Sequence, residues 1–359
     1  MSYQRVSTPR FFVDFPLFAR NYGLITTDAD DDKGFFHLNP AKSIAMQLYH
    51  QAGDDVDGNN YYRDYANIMV NESSWLNSLQ YVFILGHRMV ADNISCYIYP
   101  AFQGVGTNDF AEYITPIETL NCSVSINETE HYINPSVDGW SMVRFNQSYA
   151  QDMNKITLGF IGSHDGQSFS VGDVSIGWMY EMPHSPDLSL KLSYQNESIK
   201  TQITKGGTTL TDQGWSEPPF WLNMPQWMTT KPVIGENTVE PVDNYKGLNP
   251  NSRRIWDLSF SYLQDTDLLN EVYQGDTGNY TGIMGGRKSV DGDFDYKGII
   301  NSFYAKVYHG TCGFKNPFIF QPNKDVQEFA IVRIDNNSFT IDQVANNVYN
   351  CSIRLVETW

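Results

Sequence analysis

Apolar side chains occupy every second position along much of the C-terminal part of this chain. Between residues 254 and 263, Trp256, Leu258 and Phe260 alternate with polar residues. Successive side chains of a β-strand point to opposite faces, so a period of two predicts half-buried antiparallel strands. Four segments show this alternation: 254–263, 302–309, 328–335 and 349–356.

An aromatic stretch at residues 313–323 lies between two of these segments. Pro317 and Pro322 flank its Phe-Ile-Phe core, and they mark strand ends or an edge because proline cannot donate a hydrogen bond to a sheet. Residues 265–273 are expected to form a short helix, and the glycine-rich residues 275–298 form an excursion before the last strands. We therefore predict a compact C-terminal β domain.

A second group of strands is predicted in residues 75–182. The stretch from Leu79 to Leu85 is a nearly continuous apolar run, which is typical of a strand buried on both faces. Asn, Asp and Gly fill the gaps between the later segments, as expected for turns. The later strand segments are 95–102, 140–145, 155–161 and 174–182. This group predicts a β-sandwich of jelly-roll type.

The N-terminal part, residues 1–74, is predicted to be an arm with one strand and a short helix. Residues 9–16 are apolar between two prolines and indicate the strand. Asn39 as N-cap and Pro40 at the first helical position predict a helix that ends near Gly53. The aspartates before and after this segment are expected to lie in solvated turns.

Residues 183–252 are predicted to be a connecting arm. An exposed hairpin is expected from residues 188–199 and 201–211, joined around Asn196 and closed by Gly206. Prolines and tryptophans follow without periodicity, which indicates an irregular segment that packs on another surface. Connections of this length are usually functional or interacting. The candidate interaction residues in this arm are Trp215, Phe220, Trp221 and Trp227.

Taken together, these patterns predict a mainly β protein with two β-sandwich or jelly-roll-like units, few short helices and long irregular arms. The high content of Tyr (22) and Phe (21) favours β structure, and 41% hydrophobic residues are enough for packed cores. The predicted units are residues 1–74, 75–182, 183–252 and 253–359.

The charge and the cysteine content limit the possible partners and the expected compartment. A formal net charge of −17 argues against binding to nucleic acid, which needs clustered Lys and Arg. No apolar run approaches the roughly 18 residues of a membrane span, and the N-terminus shows no secretory signal. The four cysteines form no C-x-x-C pair, so free thiols in a reducing cytoplasm are expected.

Candidate chemistry is sparse: there is no H-E-x-x-H, G-x-S-x-G or P-loop motif. Residues 162–166 place Ser, His and Asp side by side, but neighbouring side chains cannot converge as a catalytic triad must, so a turn is predicted. His87 is either a ligand contact at a strand end or a satisfied core histidine. Asp291, Asp293 and Asp295 form either a cation-binding loop or an ordinary acidic loop. We expect no catalytic residue, cofactor or metal.

The C-terminal block carries a resemblance to a known family. Arg254 and Trp256 open an alternating strand, Gly-x-x-x-Pro-Phe-Ile-Phe-x-Pro begins at Gly313, and Phe-Ala-x-x-Arg ends at Arg333 before a last strand that closes with Glu357. In this order, these motifs resemble the C-terminal part of tailed-bacteriophage tail proteins of the distal-tail or tail-hub adaptor kind.

The middle unit shows a second resemblance. Residues 84–87 (Ile-Leu-Gly-His), 156–161 and 174–178 are similar to galactose-binding-like β-sandwich modules, which recur in phage tail and baseplate proteins. Many relatives have Asn after the histidine, whereas this chain has Arg88. The opening residues 10–14 belong to the same resemblance, which therefore covers most of the chain.

The resemblance implies a structural protein of a phage virion, namely a tail or baseplate adaptor without catalysis. It is expected to assemble in the host bacterial cytoplasm into a homo-oligomeric ring with sixfold symmetry, and to contact other virion tail proteins. One alternative is a tail accessory protein that binds host-surface glycan, because aromatic faces stack on sugar rings. Another is a polysaccharide depolymerase, whose paired carboxylates are defined in space and not in sequence.

The cysteine pattern gives a first prediction. Mass spectrometry of the denatured, unreduced protein should show four cysteines that react with an alkylating agent, because none is expected to be paired or bound to metal. A native disulfide, or zinc present in stoichiometric amount, would contradict both the assignment and the expected compartment.

Overall fold

The structure of the protein is a computed structural model. It describes residues 6–25, 36–39, 44–50, 62–69, 79–102, 114–127, 130–136, 139–147, 153–188, 190–195, 199–213, 230–232, 239–241, 253–269, 284–288, 294–299, 301–335 and 339–358. In chain order the strands are Arg10–Asp14 (β1), Ile44–Gln47 (β2), Tyr49–His50 (β3), Tyr62–Met69 (β4), Tyr81–His87 (β5), Ser95–Phe102 (β6), Ile114–Leu120 (β7), Cys122–Asn127 (β8), Glu130–Pro135 (β9), Gly139–Gln147 (β10), Met153–Gly162 (β11), Ser168–Val171 (β12), Asp173–Glu181 (β13), Lys191–Gln195 (β14), Ile199–Ile203 (β15), Thr209–Gln213 (β16), Thr230–Pro232 (β17), Val239–Pro241 (β18), Arg253–Gln264 (β19), Met284–Lys288 (β20), Phe294–Ile299 (β21), Phe318–Gln321 (β22), Ala330–Ile334 (β23), Thr340–Ala345 (β24) and Val348–Glu357 (β25).

Short helices lie between the strands: Phe15–Asn21 (α1), Asp265–Leu268 (α2) and a π-helix at Tyr304–His309. Helix α1 begins where strand β1 ends, because the Asp14 carboxylate accepts a hydrogen bond from the backbone N–H of Leu17 at 2.8 Å and so caps the helix. Within the described part of the chain, no helix has the length and apolar character needed to cross a membrane.

An eleven-stranded sheet, here called the main sheet, organises the fold. Its strands follow the order β14-β19-β25-β23-β22-β1-β13-β5-β10-β7, and β24 adds to β25. Each of the four predicted units contributes at least one strand, so backbone hydrogen bonds connect all of them. The division into separately folding units stays a prediction.

A second sheet of six strands has the order β3-β4-β11-β6-β9-β8. Its buried residues, such as Ile98 and Phe160, belong to the same core cluster as Val82 and Ile176 of the main sheet. The mainly β class predicted from the sequence is therefore confirmed.

Strand β1 lies in the middle of the main sheet and is buried on both faces. The side chain of Phe11 contacts Phe303 and Phe320, each with ring centroids 5.4 Å apart. The next side chain, Phe12, points to the other face and contacts Tyr81 at 5.1 Å. The continuous apolar run of β1 is thus explained by burial on both sides.

Glycine is required where β1 meets β13. Gly177 lies opposite Asp14 in the register. A methyl group on Gly177 would overlap the carbonyl oxygen of Val13. The missing side chain therefore allows the end of β1 to approach β13 closely before the chain turns into α1.

The helix predicted to begin at Pro40 is wrong where the structure describes this segment. Residues Ile44–Gln47 form strand β2, which pairs with β12. Met46 and Leu48 are buried while the residues between them are exposed, so the segment has a period of two. Sheet pairing overrides the local Asn-Pro signal.

The strand predicted at residues 302–309 is also wrong, because Tyr304–His309 is a π-helix. Its alternating apolar positions are too few to distinguish a strand from a buried helical turn. The helical form stacks Tyr304 on Tyr308 at 4.7 Å. It also carries the amino group of Lys306 to acceptors on the main sheet.

The hairpin in the connecting arm exists with different strands from those expected. Strand β14 pairs with β19 in the main sheet, and the hairpin is formed by β15 and β16. Its turn contains Gly206 as predicted, whereas Asn196 lies outside the described residues. Most other predicted strands are confirmed within a few residues. The strands that were not predicted are β2, β3, β4, β7, β8, β9, β12, β17, β18, β20, β21 and β24.

The position of Trp256 gives a second prediction. Its side chain is 1% exposed and contacts Phe320 edge to face at 5.4 Å. Trp256→Ala should lower the free energy of unfolding by about 3–5 kcal/mol, because the truncation leaves a cavity in the core. Thermal and denaturant unfolding measure the change.

The matched control is Tyr262→Ala on the same strand, where the side chain is 79% exposed. This substitution should change stability by no more than about 0.5 kcal/mol. Equal losses in the two variants would contradict the burial assigned to Trp256.

Candidate functional site

The predicted interaction residues of the connecting arm lie outside the described residues. These are Trp215, Phe220, Trp221 and Trp227. Their role in assembly stays a prediction.

His87, the other predicted interaction residue, is placed in the interior. The side chain is 1% exposed, its Nε2 lies 3.0 Å from the Ser141 hydroxyl, and its Nδ1 accepts a hydrogen bond from the Met89 backbone at 3.3 Å. Burial lowers the pKa of His87 to about 4, so the ring is neutral. The structure therefore places His87 as a satisfied core histidine and not as an exposed ligand contact.

The remaining sequence candidates fall into turns and strands. Residues 162–166 include an exposed turn between β11 and β12, as predicted, in which the Ser163 hydroxyl lies 3.1 Å from Nδ1 of the adjacent His164. Asp295 belongs to strand β21, while Asp291 and Asp293 lie outside the described residues. Among the described residues, no group of three or more His, Cys, Asp or Glu could hold a metal.

All four cysteines are free in the structure. Burial raises the pKa of Cys122 to about 11 and that of Cys351 to about 12. The thiols are therefore protonated at neutral pH and are poor nucleophiles there.

The feature best placed for an interaction is the hairpin of β15 and β16, residues 199–213. Thr204 and Thr208 close its turn with a backbone hydrogen bond of 2.9 Å, and Gly207 provides the positive φ of 81°. The side chains of Ile203 and Leu210 are 75% and 54% exposed. The hairpin thus offers apolar side chains to solvent instead of packing them on its own body.

A network of ion pairs, here called the seam network, joins several strands of the main sheet. Arg10 of β1 donates to Glu181 at 2.8 Å and to Glu118 at 3.1 Å. Arg144 donates to the same Glu118 at 2.7 Å, and Lys324 donates to Glu181 at 2.8 Å. The network therefore connects β7, β10, β1 and β13 with the loop that follows β22.

Contacts with cations offset the burial of the carboxylates in the seam network. Desolvation by itself would raise the pKa of Glu181, but the hydrogen bonds and charges of Lys324 and Arg10 hold it below its ordinary value. Each carboxylate accepts from two cations, so the cations are committed to holding strands together. Networks of this kind contribute more than isolated surface pairs.

Lys306 makes a second connection between distant parts of the chain. Its amino group donates to the side-chain oxygen of Gln80 at 2.9 Å and to the carbonyl oxygen of Met179 at 2.8 Å. Burial lowers the pKa of Lys306 to about 8. The lysine fixes the π-helix against β13 and the start of β5.

Arg254 and Glu357 form a buried ion pair in the C-terminal block. The Arg254 side chain donates to both carboxylate oxygens of Glu357 at 3.1 Å and to Glu328 at 2.7 Å. The guanidinium also lies over the Trp256 ring at 4.8 Å. Residues that carry the sequence resemblance at opposite ends of the block therefore meet in one contact.

The comparisons with known proteins add no family to this picture. No protein-family model, no curated protein and no solved structure matches the chain.

Sequence reasoning missed the residues that connect the units. Lys306 falls within the strand predicted at residues 302–309, and Asp14 within the strand predicted at residues 9–16. Asp14 carries a usable signal, since Asp followed by Phe-Pro at the end of an apolar run is typical of a helix N-cap. Asp173 and the seam network carry no such local signal.

The buried ion pair gives a third prediction. Glu357→Ala should lower the free energy of unfolding by about 3–5 kcal/mol, because it leaves the Arg254 guanidinium buried without its bidentate partner. Chemical denaturation at neutral pH measures the loss.

Arg354→Ala is the control on the same strand. Arg354 is 44% exposed and lies 3.7 Å from Asp257. An exposed pair of this kind contributes about 1 kcal/mol or less. A loss in Glu357→Ala as small as that in Arg354→Ala would show that the buried pair does not stabilise the fold.

Proposed function

We propose that the chain is a structural component of a tailed-phage virion, a tail or baseplate adaptor that assembles into a ring through protein contacts. The observation that carries this proposal is the exposed hairpin of residues 199–213. Its apolar side chains are presented on an arm and are supported by a body whose distant segments are joined by ion pairs.

The exposed apolar side chains of the hairpin favour a partner. An isolated two-stranded hairpin is marginally stable in water. Ile203 at 75% exposure and Leu210 at 54% gain little from their own chain. Burying such side chains against another surface gains about 25 cal/mol for each Å² of apolar area. The hairpin is therefore best explained as a segment that packs on a neighbouring protein.

Charge favours another copy of this chain as that neighbour. The whole chain carries a net charge of −17, whereas the hairpin contains Lys200 and Lys205 against Asp212. A locally positive arm complements the acidic surface of a second copy, while the negative charge elsewhere limits unspecific association. A head-to-tail contact between one arm and the next body closes into a ring when the rotation permits.

The body suits a structural role. Arg10, Lys306 and Arg254 each join strands that are far apart in the sequence. These contacts support a protein that holds a fixed shape within a particle, in agreement with the expected adaptor. Glycan binding and depolymerase activity stay alternatives that the sequence raises.

The proposal gives a fourth prediction. The double variant Ile203→Lys with Leu210→Lys should fold with an unchanged unfolding temperature but lose ring assembly, because charge replaces the apolar contacts at the arm. Electron microscopy with negative stain detects rings, and sedimentation velocity measures the mass in solution.

Val326→Lys is the matched control, since Val326 is 47% exposed on a loop of the body and is not part of the hairpin. It should assemble like the unmodified protein. If the unmodified protein stays a monomer at high concentration, alone and with other virion tail proteins, the adaptor function is wrong. If rings form and the hairpin variant also forms them, the adaptor function stands and the hairpin assignment fails.

A further inference from the structure

Two aspartates are buried on one face of the main sheet. Asp14 ends β1 and Asp173 begins β13, and each is 1% exposed. Asp14 lies opposite Gly177 in the register. Side chains at positions 173, 175 and 177 share one face because the period of a strand is two. Both carboxyls therefore lie on the same face, with Ser175 between them along the strand.

Each carboxyl has one oxygen that is held by the backbone. Oδ1 of Asp14 accepts from Leu17 N–H at 2.8 Å, and Oδ2 of Asp173 accepts from Asn39 N–H at 2.6 Å. The other oxygens, Oδ2 of Asp14 and Oδ1 of Asp173, are buried without a hydrogen-bond partner among the described residues. A buried carboxylate oxygen in this position is costly when it is charged.

The groups around the pair supply little positive charge. From α1, Arg20 acts on Asp14, and its guanidinium also donates to the carbonyl of Phe36 and to Nδ1 of His37. From β5, the Tyr81 hydroxyl lies 3.0 Å from the Ser175 hydroxyl. One guanidinium, partly engaged with the segment 36–39, therefore acts on Asp14.

We infer that Asp14 and Asp173 form a buried proton-binding pair, which holds α1 and the segment 36–39 against the main sheet while it retains a proton. The proton resides on an oxygen that has no partner in the structure. With one proton, on Asp173, the pair carries a single negative charge on Asp14, which Arg20 balances. Without it, two charges repel each other in a buried site where each carboxyl has one oxygen without a hydrogen-bond partner.

The titration directions agree with this geometry. Burial raises the pKa of Asp14 to about 6. Burial first, and then the charge of Asp14, raise the pKa of Asp173 well above its ordinary value. A carboxyl with a raised folded-state pKa stabilises the fold at low pH, and this contribution is lost as the pH rises through the folded pKa. Stability from the pair is thus highest in acid and falls toward alkaline pH.

The contacts of the two aspartates indicate which elements are released first when the proton is lost. Asp14 caps α1, and Asp173 holds Asn39 at the end of the segment 36–39. Loss of the proton therefore acts on these two elements before it acts on the strands, which keep their backbone pairing. This inference does not depend on the proposed virion function.

The test uses the full-length protein and the nearly isosteric variants Asp173→Asn and Asp14→Asn. Asparagine keeps the cap of α1 while removing a charge. The unfolding temperature of the unmodified protein should fall from about pH 5 to about pH 8. Asp173→Asn should show a smaller fall and a higher unfolding temperature at the alkaline end. Asp257→Asn, a change at a surface aspartate, should behave like the unmodified protein.

Two further measurements separate a proton from a merely structural role. Infrared spectra at neutral pH should contain the carbonyl stretch of a protonated carboxyl, which Asp173→Asn removes and Asp257→Asn keeps. In Asp14→Asn this band should vanish at a lower pH, because the neighbouring charge is gone. Hydrogen exchange at about pH 8 should be slower in α1 of Asp173→Asn than in the unmodified protein, and equal in the hairpin.

Either of two results would overturn the inference. The first is the same infrared band and the same pH dependence of unfolding in Asp173→Asn and the unmodified protein. The second is a rise in unfolding temperature on adding calcium that Asp173→Asn abolishes, because a cation and not a proton would then occupy the pair. If Asp173→Asn does not fold, the infrared titration of Asp14→Asn decides in its place.

Discussion

The rest of the structure depends on strand β1, because both of its edges are hydrogen-bonded. On one side Arg10–Asp14 pairs with β13 of the middle unit, and on the other it pairs with β22 of the C-terminal block. Without this strand, the order of the main sheet would be interrupted between the two. Phe11 and Phe12 then bury opposite faces of the strand. A segment of five residues thereby joins parts of the chain that are far apart in sequence.

The strands were predictable where burial leaves a repeating signal. The apolar run of β5 and the alternation of β19 and β25 reflect burial on two faces or on one, and the structure confirms them. The signal failed at Ile44–Gln47 and at Tyr304–His309, where short segments satisfy more than one period. Tertiary contacts decide the conformation of such segments. These are the pairing with β12 in the first case and the hydrogen-bond acceptors of Lys306 in the second.

The candidate site was less predictable for a different reason. Its contacts join residues that no local pattern relates, as in the pairs Arg10–Glu118 and Lys306–Gln80. Charged residues on strands are typical of solvent-facing positions, although Arg10 pairs with a carboxylate on β7, a strand that is not its neighbour in the sheet. The hairpin is a partial exception, since Gly206 and Gly207 indicate its turn, although different strands were predicted for it. Its exposure, and with it the suggestion of a partner, required the structure.

The positions of the Lys and Arg side chains affect both the interior of the protein and its association. The chain has 24 Lys and Arg against 41 Asp and Glu. Arg10, Arg144 and Arg254 pair with carboxylates within the fold, and Lys306 is held by neutral oxygens, so the remaining surface keeps the chain's excess of negative charge. Two copies of such a body repel each other over much of their surface. Association must therefore use places where apolar or basic side chains are exposed, and the hairpin with Ile203, Leu210 and Lys205 meets both conditions. In the interior, one guanidinium acts on Asp14 beside the second buried carboxyl of Asp173, and a proton is the smallest charge that can neutralise that second carboxyl.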